Sequence, residues 1–194
     1  VSVLFADLKG FTSFSERSDS MEVSAMLNEY FKVAVPVIAN GYGGEVDKLI
    51  GDAIMVTFNT RGDQPDHAIR AVRAGLALQR ETTRIVERHP RWPRFRVGVN
   101  SGKATVGLIG AEGGRGYTVI GDTVNLASRL EGQAKVGQVV IGAKTYDALP
   151  DGTRLEPLGS IQVKGKEAPI EAYIVIELPP DESERDQRLQ DEDP

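Results

Sequence analysis

Two short strand-like runs, Glu45–Ile50 and Ala53–Phe58, are separated only by Gly51 and Asp52. Two residues can join adjacent strands only by reversing the chain, so the spacing predicts an antiparallel hairpin with Asp52 at its tip. A third run, Val1 to Asp7, is apolar apart from Ser2 until it ends in an acid. It reads as a buried strand that delivers one acid to its end. If these strands are neighbours, the Asp7 and Asp52 carboxylates point at one spot.

The remaining pattern alternates strands with amphipathic helices. Asp19, with Glu22 three residues on, suits a helix start. Val23, Met26, Leu27, Tyr30, Phe31 and Ala34 then recur at helical spacing. Pro36 should kink or shorten that helix, and Gly41-Tyr42-Gly43-Gly44 should end it. Pro65 opens a second helix carrying Ala68, Ile69, Val72 and Leu76 on one face. Arg94–Asn100 and Ala104–Ile109 read as strands around a turn at Ser101-Gly102. The glycine-rich segment 110–116 reads as a hairpin tip before the strand Tyr117–Ile120. Asp122 suits the cap of a helix to about Leu130. Val136–Ile141, Ser160–Val163 and Glu171–Ile176 complete the strands. The expectation is an α+β domain, with a mostly antiparallel sheet and its helices on one face.

Charge and composition narrow the function. Pro180–Pro194 holds seven acids and two arginines, which is the whole net charge of −5. Residues 179–194 therefore read as an acidic, disordered tail behind a domain of residues 1–178. The neutral body lacks the basic face of a nucleic-acid binder. Without cysteine, the chain has no disulfide, no thiol nucleophile and no cysteine-ligated metal. No apolar run approaches the ~20 residues of a membrane span. The chain starts inside an apolar run without a methionine, so it reads as part of something longer.

Several residues have the chemistry of a phosphate site. Two carboxylates with open positions suit Mg²⁺, which keeps waters and takes phosphate oxygens. Taken alone, Asp52 also reads as ordinary turn punctuation, and Asp7 as an ordinary helix or turn cap. The turn LKGFTSF offers backbone amides ahead of a helix, a possible anion nest. Asn125 and Arg129 lie four apart, on one helix face, where an amide and a guanidinium could bind a sugar oxygen and a phosphate. Lys164 and Lys166 flank Gly165 in VKGKE, which suits a terminal phosphate or a solvated loop. Arg96, at a strand centre, must face solvent or an anionic partner. Trp92 between two arginines reads as a surface or edge residue. His67 and His89 suggest no Ser–His–Asp set.

Together, FADLKGFT, DKLIGDAIM, FRVGVNSG, GYTVIGDTVNLASRLE and VKGK, in this order and spacing, resemble the class III nucleotidyl cyclase catalytic domain. The resemblance covers about residues 1–176 and implies a ferredoxin-like βαββαβ core. It implies that Asp7 and Asp52 hold two Mg²⁺ or Mn²⁺ ions, assisted by the Leu8 carbonyl. The Gly10, Phe11 and Thr12 amides would meet phosphate. Lys48 matches the purine-selecting lysine, a position typically glutamate in guanylyl cyclases, and so points to ATP. Thr118 stands where many adenylyl cyclases carry aspartate, and looks like the subgroup often described as bicarbonate-responsive. Because a hydroxyl both donates and accepts, adenine selectivity would rest mainly on Lys48. Asn125 and Arg129 match the transition-state pair. Arg96 and Lys164 match phosphate-binding residues. The family builds its site between two domains, so a single chain carrying both halves implies a head-to-tail homodimer with two equivalent sites. The implied activity is adenylyl cyclisation of ATP in the cytoplasm.

Overall fold

The computed structural model describes residues 1–109, 116–163 and 168–180. The buried run at the start forms β1 (Ser2–Lys9). A left-handed Gly10, φ +88°, turns it into the short helix α1 (Phe11–Ser15). Helix α2 (Ser20–Pro36) begins where the sequence places it, and the Asp19 side chain accepts the Met21 N–H at 2.8 Å. Pro36 is its last residue, and the chain widens into a π-turn at Val37–Gly41.

The hairpin β2 (Glu45–Ile50) and β3 (Ala53–Phe58) has the expected bounds. Gly51 makes the reversal at φ +63°, a conformation that favours glycine. Helix α3 (His67–Arg88) and strand β4 (Arg94–Ser101) follow. Then come β5 (Thr105–Ile109), β6 (Gly116–Ile120) and α4 (Asp122–Gln133). Strand β7 (Val139–Gly142), the short helix α5 (Ala143–Tyr146), β8 (Arg154–Ile161) and β9 (Ile170–Glu177) complete the domain.

The main sheet has the order β2-β3-β1-β4-β7-β9-β8, and only the β4–β7 pairing is parallel. The first four strands alternate with α2 and α3 as βαββαβ, with β1 central between β3 and β4. This is the ferredoxin-like core.

The helices do not share one face. In β4, Val97 meets Gly75 of α3, while its neighbour Gly98 meets α4. Adjacent strand residues point to opposite faces, so α3 and α4 sandwich the sheet. A Cβ at Gly98 would lie 2.2 Å from the Glu131 backbone nitrogen. The mid-strand glycine is therefore what lets α4 close on the sheet. The larger core, with Leu4, Leu8, Tyr30, Phe58 and Phe95, lies on the α2/α3 side. Val3, Met55 and Ala127 pack on the α4 side.

Four local expectations are corrected. Strands β4 and β5 are not partners; β5 leaves the sheet and pairs with β6 in a separate ribbon. The last hairpin starts earlier than expected, because β8 already begins at Arg154. Trp92 is buried, stacking on His89 at 3.8 Å and packing against Tyr30. The Tyr30 hydroxyl donates to the Pro93 carbonyl at 2.7 Å, which fastens this loop to the core. At the start of α4 the capping position is Gly121, and Asp122 sits in the first turn. The segment 110–115 and the tail 181–194 lie outside the described residues. No described helix is long and apolar enough to cross a membrane.

Candidate active site

The sheet register brings the two sequence-distant acids together. Strand β1 pairs with β3 up to Ala6–Ile54, so Asp7 and the hairpin tip lie at the same end. The Leu8 N–H donates to Asp52 Oδ2 at 3.3 Å. Burial pushes the Asp52 carboxyl up to about 6, and the charge of Asp7 and a hydrogen bond with it push the same way. Two carboxylates brought together, each disfavouring the charge of the other, are the situation a divalent cation relieves. The Asp7–Asp52 pair fits such an ion. Among the described residues no group of three or more His, Asp or Glu side chains forms a closed cage. A two-carboxylate set leaves positions for waters and phosphate oxygens, as Mg²⁺ prefers. The Leu8 carbonyl is adjacent in sequence, and Leu8 itself is buried. Gly10, Phe11 and Thr12 follow at the turn, before the Phe14 amide takes the first helical bond, to Gly10 O at 3.0 Å.

Arg96 stands directly opposite Asp7 across β1 and β4. Its Nη2 donates to Asp7 Oδ2 at 2.9 Å, and its Nη1 donates to the Gly132 carbonyl at 3.3 Å. It also forms an ion pair with Glu131 of α4. Glu131 was not found from the sequence. Burial pushes its carboxyl up to about 7, with Arg96 opposing and Asp7 reinforcing the rise. The guanidinium touches Glu131 Oε1 without the alignment of a hydrogen bond, so that buried oxygen has no hydrogen-bond partner. The signal was present: Thr123, Ala127 and Glu131 recur every four residues, which puts the acid on the buried face of α4.

Lys48 and Thr118 meet although 70 residues separate them. Lys48 Nζ donates to Thr118 Oγ1 at 2.9 Å, joining β2 to β6. A third residue, Asp47, which the sequence did not single out, completes the group. Thr118 Oγ1 donates to Asp47 Oδ2 at 2.9 Å, and Lys48 Nζ lies 3.0 Å from the same oxygen. Strand alternation would put Asp47 and Lys48 on opposite faces. The β2–β3 register shifts between Val46 and Lys48, and this bulge at Asp47 turns both side chains toward Thr118.

Asn125 and Arg129 both lie on α4, where Asn125 is exposed and Arg129 half-buried. Arg129 forms no hydrogen bond or ion pair with another described residue. Neither residue shares the helix direction of Glu131, the α4 residue in contact with Asp7's partner. At about 100° per residue, Arg129 points roughly opposite to Glu131, and Asn125 sits about 9 Å back along the axis. Lys164 and the rest of VKGK fall outside the described residues.

A ferredoxin-like sheet with two acids at one strand end, a lysine–hydroxyl pair joining β2 to β6 and an Asn/Arg pair on the helix after β6 has the plan of a class III nucleotidyl cyclase domain. The chain belongs to that family, matching the adenylate and guanylate cyclase catalytic domain over residues 1–177. It is 35% identical over 182 residues to adenylate cyclase 1 of Rhizobium meliloti (strain 1021). That match takes in 91% of this chain but only 27% of the relative. Among solved structures, the adenylyl cyclase CyaB from P. aeruginosa superposes with a TM-score of 0.82 at 33% identity, covering 93% of this chain and 95% of that one. The guanylate cyclase domain of RhGC from Catenaria anguillulae, solved in complex with GTP, gives 0.81 at 30% identity, covering 92% and 96%.

Proposed function

We propose that this domain is an adenylyl cyclase, converting ATP to 3′,5′-cyclic AMP and pyrophosphate. The observation that carries the reading is the Lys48–Thr118 contact at 2.9 Å. It supports a preformed reader for the purine edge, with an ammonium donor where guanylyl cyclases typically present a glutamate acceptor. In the reaction the ribose 3′-hydroxyl gives up its proton to water, its oxygen bonds to the α-phosphorus, and the bond to the pyrophosphate oxygen breaks.

Each residue has a part in that step. Asp7, Asp52 and the Leu8 carbonyl would hold two Mg²⁺ or Mn²⁺ ions, which when bound supply positive charge at the attacking oxygen and on the triphosphate. Lys48 donates to the adenine ring nitrogen beside the amino group, and Thr118 faces that amino group. Asn125 orients the ribose. Arg129 meets the charge that develops on the α-phosphate. Arg96 and Lys164 hold the leaving pyrophosphate, with the Gly10, Phe11 and Thr12 amides along the phosphate chain. Arg96 then exchanges its carboxylate partners for phosphate oxygens.

The site is read as shared between two copies of the chain in a head-to-tail homodimer. The direction of Asn125 and Arg129 away from Glu131 supports this, because the two halves of the site do not face one another in one chain. So does the exposed apolar surface. Leu108 and Tyr117 are 60% and 62% exposed on the ribbon, and Leu49 and Ile50 are exposed on β2 beside it. A cytoplasmic setting suits the substrate. Activation by bicarbonate is part of the same reading, and rests on Thr118. A bicarbonate titration at fixed pH and ionic strength that leaves cyclic AMP output flat removes that part.

The guanylyl cyclase resemblance favours GTP as the second reading, and Lys48 opposes it. The deciding experiment is to incubate the purified chain with Mn²⁺ and each nucleotide, and to quantify cyclic AMP and cyclic GMP. Cyclic AMP as the dominant product is expected. Dominant cyclic GMP overturns the adenylyl reading, and absence of both products overturns catalysis.

A further inference from the structure

We infer that Asp47 is a specificity-determining residue for the purine: it fixes the Thr118 hydroxyl as a hydrogen-bond acceptor, which makes the base reader reject guanine. The inference rests on the adenylyl reading of the site. Three contacts carry it. The Asp47 side chain is 4% exposed, and its Oδ2 takes both the Thr118 hydroxyl at 2.9 Å and the Lys48 ammonium at 3.0 Å. Lys48 Nζ in turn donates to Thr118 Oγ1 at 2.9 Å. A carboxylate paired with an ammonium only accepts, so the hydroxyl proton is committed to Asp47. What Thr118 still offers is a lone pair. The bulge that turns Asp47 toward this group is a feature that re-aims side chains beside active sites.

The consequence follows from the edges of the two bases. Adenine presents a ring-nitrogen acceptor beside an amino donor. These match a lysine donor beside a hydroxyl acceptor. In the same position guanine presents a ring N–H donor beside a carbonyl acceptor. Its N–H then faces the Lys48 ammonium, and its carbonyl faces the Thr118 lone pair, so both contacts are mismatched. A freely turning hydroxyl would remove one mismatch by donating to the guanine carbonyl. The Asp47 carboxylate withholds that option. Asp47 thus acts through Thr118 and Lys48 and need not touch the nucleotide.

The test is the ratio of kcat/KM for ATP to that for GTP, with products identified, in Asp47→Asn, Thr118→Val and the double variant. An asparagine amide can donate to Thr118 Oγ1 and free its proton. Asp47→Asn should therefore lower the ATP to GTP ratio about tenfold or more, the usual effect of repairing one unmatched polar contact. Thr118→Val should lower the ratio through loss of ATP use, because guanine gained nothing from the wild-type hydroxyl. In the Thr118→Val background, Asp47→Asn should move the ratio by less than about threefold, because its route of action is gone.

ATP and GTP use falling in parallel in Asp47→Asn, with the ratio unchanged, overturns the inference in favour of plain structural support. The same holds if Thr118→Val loses more GTP than ATP use, a result that does not depend on Asp47→Asn folding. A wild-type chain that prefers GTP sinks the adenylyl reading and this inference with it. A wild-type preference for ATP with an ATP to GTP ratio left unchanged by Asp47→Asn sinks the inference alone.

Discussion

Arg96 grips Asp7: its Nη2 donates to Asp7 Oδ2 at 2.9 Å across the β1–β4 ladder. The pair places the cation proposed to bind phosphate on a carboxylate proposed to hold metal. The guanidinium supplies positive charge beside Asp7 and answers Glu131 on its other side. In the proposed site, productive binding would be an exchange of partners in which Arg96 gives up a carboxylate and takes phosphate oxygens. The exchange is chemically balanced, because both partners are anionic oxygens that accept from the same N–H groups.

Removing that cation should act on both states. Arg96→Gln should lower kcat/KM for ATP by about 10–100-fold, the range of a hydrogen bond to a charged group. It should also lower the melting temperature of the free chain, because Glu131 is left as a buried acid without its ion pair. Steady-state cyclic AMP assays and thermal melts on one preparation check both. Unchanged melting would show that the Arg96–Glu131 contact contributes nothing to the fold.

Asp7→Ala or Asp52→Ala should each lose more than ~3 kcal/mol of transition-state stabilisation, over about a hundredfold in rate, as when a principal electrostatic group is removed. Turnover is measured at saturating Mn²⁺ so that weak ion binding is not mistaken for lost chemistry. Near-normal rates in either variant would remove that residue from the metal set.

The raised carboxyls predict a pH dependence of stability in the metal-free chain. The Asp52 carboxyl rises from 3.8 to about 6, and that of Glu131 from 4.5 to about 7. A folded-state value above the unfolded one means that folding favours the protonated group. This contribution is complete below the unfolded value and is lost as pH rises through the folded one. Asp52→Asn mimics the neutral group at every pH. Its melting temperature relative to wild type should therefore climb between about pH 4 and pH 7 without metal. Mg²⁺ should narrow the gap by stabilising only wild type. A difference that stays flat with pH would show that Asp52 titrates as an ordinary exposed acid.

Lys48→Glu should reduce ATP use sharply, since it replaces the donor facing the adenine ring nitrogen with an acceptor. The swap toward GTP should be partial while Thr118 remains an acceptor bound to Asp47. Competition assays with both nucleotides measure this directly. An ATP to GTP preference left unchanged by Lys48→Glu would mean that this position does not read the base.

What the sequence disclosed, and what it hid, follows from the range of each signal. The β2–β3 hairpin was legible because its turn chemistry is local, and its bounds were met to the residue. The α2 start was legible for the same reason, through the Asp19 cap. The convergence of Asp7 and Asp52 needed only the assumption that two strands are neighbours. Asp47 was hidden because strand periodicity assigns it to the face opposite Lys48, and only the bulge reverses that. Glu131 was hidden because an acid near a helix end ordinarily faces water; its burial depends on Gly98 letting α4 approach the sheet. Gly98 was also the missed sign that helices cover both faces. Trp92 was misjudged because its flanking arginines are local, whereas its packing partner Tyr30 lies 62 residues away.

Mixed variants distinguish a site built by one chain from a site built by two. Asp7 and Asn125 should act on one ATP but come from different copies. Asp7→Ala and Asn125→Ala should each be nearly inactive as homodimers. Mixed equally and allowed to exchange, they should form roughly half heterodimers if pairing is random. In each heterodimer one site collects both lesions and the other collects none. One intact site of two, in half the dimers, gives roughly a quarter of wild-type activity if the sites act independently. A site contained in one chain predicts no recovery at any ratio, because every site then carries a lesion. Cyclic AMP production is followed against mixing ratio, with exchange verified by differently tagged chains. Verified exchange with activity near zero throughout would overturn the shared site, and with it the reason Asn125 and Arg129 point away from the Asp7 end of their own chain.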